Sequence, residues 1–287
     1  MSGGATCPVG LSGLVEAYRD PHALYDQARA RGGICFDPVG KCWLVTDYAA
    51  VRRILGDPRF SSELDRGSRN APQGGRPSFI QSAIARQILF SDGPDHERVQ
   101  DAIVRESTRR GHLIRPLIRR IADRLLEPAR ARGRMDLVKE FSAPFAAESI
   151  SLIMGIPLDD DRRRDELQQW SNTFGAVTSG YFRVRVQDID RLGAFFRDLV
   201  RRRGTDPSDD LIQTLIRDEV FEDEEDLVIN CMMIFGAGRV TSQKVLGDGV
   251  AKLLPEWARW REMHRENPGG SRRLAEELLR AVTPTRH

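Results

Sequence analysis

Two sets of acids lie beside basic residues at spacings suited to charge chemistry. Asp92 and Asp95 precede His96 and Arg98, and Asp159-Asp160-Asp161 is followed by Asp165 one helical turn on. Carboxylates gathered this way hold a hard cation such as Mg²⁺ through oxygen, and a nearby guanidinium can receive a diphosphate leaving group. The second set also has a plain reading, because it follows Pro157 where an exposed helix N-cap is expected. A third candidate is the hydroxyl of Thr241. It follows Phe235-Gly236-Ala237-Gly238-Arg239-Val240 inside 227–254, the longest mostly apolar stretch of the chain. Two glycines in mid-helix each cost about 1 kcal/mol against Ala. A helix that carries them is expected to bend, or to let another group approach its backbone.

The elements that position these residues are read from periodicity and turn chemistry. Acids at 222–226 precede the apolar stretch, as a helix N-terminus prefers. About 28 residues at 1.5 Å each span roughly 40 Å, the width of a domain. Helical patterns are expected at 11–32 with a break at Pro21, after Asp47, and then at 100–131, 136–154, 160–180, 185–203, 209–219, 255–266 and 271–282. Ile34, Phe36, Trp43 and Val45 alternate around Asp37-Pro38-Val39-Gly40, which predicts a hairpin. Residues 61–80, rich in Gly, Pro and Ser, read as a loop. A net charge of +2 and intermixed Arg, Asp and Glu argue against a nucleic-acid partner. The nine arginines of 109–134 alternate with apolar residues and predict a basic outer helix face. No stretch has the roughly 18 continuous apolar residues of a membrane span. Four cysteines without metal-ligand spacing suit a reducing cytoplasm.

Several of these segments, in order, resemble a bacterial cytochrome P450. Phe90-Ser91-Asp92-Gly93-Pro94-Asp95-His96-Glu97-Arg98 is similar to the family's D-P-P-E-H-x-R. Asp136-Leu137-Val138, Pro144 and Gly155-Ile156-Pro157 resemble its D-L-V…P…G-[VI]-P run, and Asp209-Asp210-Leu211-Ile212 its D-D-L-[IL]. Ala237 to Ser242 falls where the family has A-G-x-[DE]-T-T, and Glu277 with Arg280 forms E-x-x-R. The resemblance implies a mainly α fold: a truncated P450 domain over 1–287, with a small N-terminal β-hairpin and a long central I helix. It also makes Glu277 and Arg280 structural, and gives Asp92 and Asp95 an ordinary place in the scaffold. The family's pocket lies over the I helix, so its lining is expected from Phe235, Gly236, Ala237, Gly238, Val240, Thr241, Phe90 and Phe174, with Trp170, Tyr181 and Phe182 near. Ordinary core packing is the alternative for each aromatic. Gly238→Leu is expected to fill this cavity.

The departures from the family pattern point elsewhere. No cysteine follows Glu277, the C-helix position four after His96 is Gln100, and the I-helix acid is Val240. These departures imply a haem-free protein that is not a monooxygenase and has lost the C-terminal haem-binding part. The reading favoured is non-redox cyclisation or isomerisation of a hydrophobic, terpenoid or prenyl-diphosphate-like substrate, with Mg²⁺ as the candidate cofactor. Thr241, Asp92, Asp95 and Arg98 are its catalytic candidates, and Asp159, Asp160, Asp161 and Asp165 its metal candidates. The last set resembles the aspartate-rich motif of terpene cyclases. Two alternatives stay open: an auxiliary protein that activates a partner such as a glycosyltransferase, and a decayed P450. Apolar I-helix surface and an unpaired hairpin edge predict self-association or a partner enzyme.

Overall fold

A computed structural model describes residues 21–37, 42–63, 79–158, 160–178 and 184–282. The chain divides into two compact units, Met1–Ser62 and Glu63–His287.

The first unit contains helix α1 (Pro21–Ala30), strands β1 (Ile34–Asp37) and β2 (Cys42–Val45), and helix α2 (Tyr48–Leu55). The strands pair antiparallel with Ile34 opposite Val45. The predicted hairpin is present, and Phe36 meets Trp43 edge-on at 5.4 Å, while Cys35 on the other face is buried. The turn expected at Asp37-Pro38-Val39-Gly40 lies largely outside the described residues. Asp47 caps α2 as expected, accepting from Ala50 N at 2.8 Å.

The second unit is helical among its described residues. It contains α3 (Phe79–Ala85), α4 (Gly93–Arg132), α5 (Ala143–Met154), α6 (Asp161–Thr178), α7 (Val186–Thr205), α8 (Leu211–Arg217), α9 (Glu224–Leu253), α10 (Trp257–Glu266) and α11 (Ser271–Ala281). The helix at Phe79 corrects the loop reading of 79–80. Gly133 and Gly155 end α4 and α5 in left-handed backbone, with φ of 69° at each. This conformation costs glycine little because it has no Cβ.

The core gathers around α9. Its first half, Leu227 to Met232 with Phe235 and Gly236, is buried. Phe235 packs against Phe196 of α7, with Phe174 of α6 in the same cluster. One polar residue inside this run has a clear task. Asn230 donates to Arg86 O (3.1 Å) and Asp226 O (2.8 Å) and accepts from Ile88 N (2.8 Å). Those bonds tie the segment leading to Phe90 and Asp92 onto α9, and they satisfy an amide that would be costly to bury unpaired. The arginines of α4 are taken up largely in ion pairs, including Arg105 with Asp218, Arg109 with Glu106 and Asp209, and Arg124 with Glu148.

Candidate functional site

Thr241 stands where α9 turns from core to open surface. The helix is buried through Gly236, whereas Ala237 is exposed and Val240, Thr241 and Lys244 are half-buried. Ala237, Thr241 and Lys244 follow at i, i+4 and i+7, so they share one face. Thr241 Oγ1 donates to Ala237 O at 2.6 Å. That bond commits the hydroxyl proton to the helix and leaves the oxygen's lone pairs free to accept from a molecule on the open face.

The predicted lining residues separate onto different faces. Phe235, Phe174 and Gly236 are core. Phe90, half-buried, belongs to a short 3₁₀ turn at Ile88–Phe90. Gly238 does not line a cavity: a Cβ there would lie 2.7 Å from Ile150 Cδ1 of α5. Its lack of a side chain serves close helix approach, which corrects the expectation that Gly238→Leu fills a substrate space. Trp170 is buried in the core cluster, and Tyr181 and Phe182 lie outside the described residues. A cleft of about 570 Å³ opens elsewhere, bounded by Ser151, Gly155, Pro157, Leu199, Arg202 and Arg203.

The charged candidates are engaged otherwise. Asp92 is the N-cap residue of α4. Asp95 and Arg98, both well exposed, pair at 3.2 Å, and Arg98 Nε donates to Val220 O. Asp160 accepts from Arg163 N at 2.6 Å, in the manner of an N-cap, and Asp161 pairs with Arg164. Asp165 is exposed, and Asp159 lies outside the described residues. Among the described residues no group of three or more His, Cys, Asp or Glu is placed to hold a metal ion. The Mg²⁺ expectation is therefore not carried by these acids: Asp95, Asp160, Asp161 and Asp165 are exposed, and the first three are engaged by arginines or a helix amide. Glu277 and Arg280 pair at 2.8 Å on α11, where burial is slight.

Sequence reasoning passed over Arg239, the variable position of the I-helix motif. It is the largest fully buried side chain, 1% exposed. Its Nε donates to Ser171 Oγ at 3.0 Å, Nη1 to Gln243 Oε1 at 3.3 Å, and Nη2 to Asn172 Oδ1. Burial pulls its pKa down to about 10, which leaves it cationic at neutral pH. Its spacing was the available signal, since it falls one turn beyond Phe235 on a buried face.

Fold and site together define a P450-type scaffold: helices packed around a long central helix, with Ala237 and Thr241 on its open face. No family model matches the chain. The vitamin D(3) 25-hydroxylase of Pseudonocardia autotrophica is 30% identical over 274 residues, 93% of this chain and 66% of that protein. Cytochrome P450 107B1 of Saccharopolyspora erythraea is 31% identical over 223 residues, 74% of this chain and 53% of that protein. The crystal structure of P450BioI, in complex with an acyl carrier protein ligated to hexadec-9Z-enoic acid, matches with a TM-score of 0.78. The identity there is 25%, over 93% of this chain and 69% of that one. PksS of Bacillus subtilis matches with a TM-score of 0.78 at 25% identity, over 92% and 67%. The chain belongs to the bacterial cytochrome P450 family. It spans between about half and two thirds of the length of the curated relatives named here.

These relatives overturn two expectations. The chain does not read as something other than a monooxygenase, because relatives matched over most of it are hydroxylases by name. Nor does it read as haem-free, because cytochromes are haem proteins and the missing cysteine is an argument from the third to a half of their length that has no counterpart here. Among the described residues Ala237 and Thr241 would offer an open face to such a group, and Cys231 would not offer it a ligand. Cys231 is fully buried, burial pushes its thiol up, and it lies ten residues, about 15 Å of helix, before Thr241. His96 Nδ1 donates to Ile88 O at 3.2 Å, which leaves Nε2 as its basic nitrogen.

Proposed function

We propose that the chain is the substrate-facing part of a P450-type monooxygenase that hydroxylates a hydrophobic biosynthetic intermediate. The observation that carries this reading is the hydroxyl of Thr241, held against Ala237 O where α9 opens beyond its buried apolar half. Haem, when bound, supplies the activation of dioxygen. The residues of this chain supply an apolar surface for the substrate and, at Thr241 Oγ1, an acceptor that orients a water or a substrate hydroxyl. With Val240 in place of an acid, Thr241 shares that open face with Lys244, one turn on. The relatives support a large apolar substrate, since their names include a secosteroid and a macrolactone hydroxylase. The acyl carrier protein bound by P450BioI supports a carrier-tethered chain as a further form of substrate. Thiols outside any disulfide at Cys42 and Cys231 support a reducing, cytoplasmic setting. Among the described residues no helix is long and apolar enough to cross a membrane.

Thr241→Val tests the reading. The protein, produced with haem and supplied with an electron-donating ferredoxin and its reductase, is offered a secosteroid, a macrolactone and a carrier-bound fatty acyl chain. The wild type is expected to yield a product heavier by one oxygen atom from at least one of them. Thr241→Val should lower that yield by roughly a hundredfold with the melting temperature little changed, because the side chain is half-exposed. An unchanged yield would remove Thr241 from the chemistry, and no oxygenated product at all would contradict the reading.

A further inference from the structure

Helices α5 and α7 both end at the cleft of about 570 Å³, a volume in the range that small-molecule sites occupy. It shares no residue with the open face of α9. Part of its wall is apolar, formed by Leu152, Ile156, Pro157 and Leu199, of which Ile156 and Leu199 are buried. Ser151 belongs to the same wall. It is 2% exposed, and its hydroxyl has no hydrogen-bond partner among the described residues. A buried hydroxyl left unpaired is costly, so a bound molecule that supplies a partner relieves that cost.

The charges around the cleft decide what kind of molecule fits. Two guanidiniums line it, and both are matched within the chain. Arg202 pairs with Asp198 at 2.6 Å, and Arg203 donates to Asp210 at 2.9 Å and to Gly155 O at 2.6 Å. Asp206 differs from them. Its backbone N–H closes α7 by donating to Arg202 O at 2.8 Å, while its exposed carboxylate has no ion-pair partner among the described residues. Thr205 beside it donates its hydroxyl to the same carbonyl at 3.0 Å, so its oxygen is left to accept. The C-terminal ends of α5 and α7 at the cleft add partial negative charge. What stays unmatched there is therefore negative, next to an apolar wall.

We propose that this cleft binds a protonated amine with an apolar body, its ammonium on Asp206 and Thr205 and its body against Leu152, Ile156, Pro157 and Leu199. It is a second small-molecule site, independent of the reaction at Thr241. Calorimetric titration of the whole protein with decylamine, decanol and decanoate, each below its micelle concentration, compares three head groups on one chain. Decylamine is expected to bind about tenfold more tightly than decanol, with decanoate weakest. The lead of the amine should shrink as salt screens the charge. Asp206→Asn should lower the amine to the alcohol's affinity with the melting temperature little changed, because that side chain is exposed. Leu152→Trp, at a half-buried position of the wall, places a large ring in the cleft and should weaken the amine at least as much. No binding of decylamine, or equal affinity for amine and alcohol in the wild type, would overturn the proposal. So would a preference that persists in Asp206→Asn, or amine binding that Leu152→Trp leaves unchanged, since the amine would then sit elsewhere.

Discussion

Asp210→Ala is expected to remove about 4 kcal/mol of stability, a large part of the roughly 5–15 kcal/mol that holds a domain folded. Asp210 is 2% exposed and serves three donors at once. It caps α8 by accepting from Gln213 N at 2.9 Å, it accepts from Ser208 Oγ, and it accepts from Arg203 Nε at 2.9 Å. Arg203 in turn donates to Gly155 O at 2.6 Å, the left-handed residue that ends α5. Truncation removes a cap, worth about 1 kcal/mol. It also leaves a mostly buried guanidinium without its anion, for which about 3–5 kcal/mol is typical. Asp210→Asn keeps the cap and much of the shape, so it should lose less than the Ala variant. Denaturant melts of the three proteins measure the effect. An Ala variant within about 1 kcal/mol of wild type would mean that this junction does not hold α5, α7 and α8 together.

Gly238→Leu should cost about 3 kcal/mol, and the cause should be helix packing, with no part played by a filled substrate cavity. A Cβ at Gly238 would already stand 2.7 Å from Ile150 Cδ1 and 3.0 Å from its Cγ1. Ala at this position meets only the flexible end of Ile150 and gains about 1 kcal/mol of helix propensity, so it should be close to neutral. The larger Leu has to push α5 and α9 apart. Ile150→Ala in the same chain makes room, so the double variant should recover at least half the loss, and that coupling is the mark of two side chains in contact. Undiminished stability in Gly238→Leu, together with altered substrate binding, would restore the cavity reading.

What the sequence made legible follows from which forces act locally. Helix α9 was readable because its acidic start, its apolar run and its length all agree with one element. The β1–β2 hairpin was readable from two alternating runs about a turn-forming Asp-Pro-Val-Gly, but not which face is covered: Ile34 and Trp43 are exposed and Cys35 is buried. The motifs at Gly155-Ile156-Pro157 and Asp209-Asp210-Leu211-Ile212 were visible as strings, but their purpose was not. Only the fold brings Gly155, Arg203 and Asp210 to one point, across 55 residues of chain. The acids at 92–95 and 159–165 looked like metal ligands because composition records charge and not direction, and Asp95, Asp160 and Asp161 are taken up by arginines or a helix amide. Gly238 looked like a gap for a ligand because a glycine reports only that something comes close, and here that is Ile150. Arg239 was hidden by its place in a motif whose variable position invites no attention. The haem-free expectation failed for a different reason: it weighed three departures from motif strings, the absent cysteine, Gln100 and Val240, above a resemblance to cytochromes that runs through most of the chain.

The central claim is that this chain serves a reaction that places an oxygen atom from dioxygen on a hydrophobic substrate. The measurement that bears on it most directly is turnover under isotopically heavy dioxygen in ordinary water, with mass spectrometry of the product. The account predicts one heavy oxygen atom per product molecule, with electrons consumed in step. A product that forms equally well without dioxygen, or carries oxygen only from water, would contradict it and return the pocket to chemistry without electron transfer.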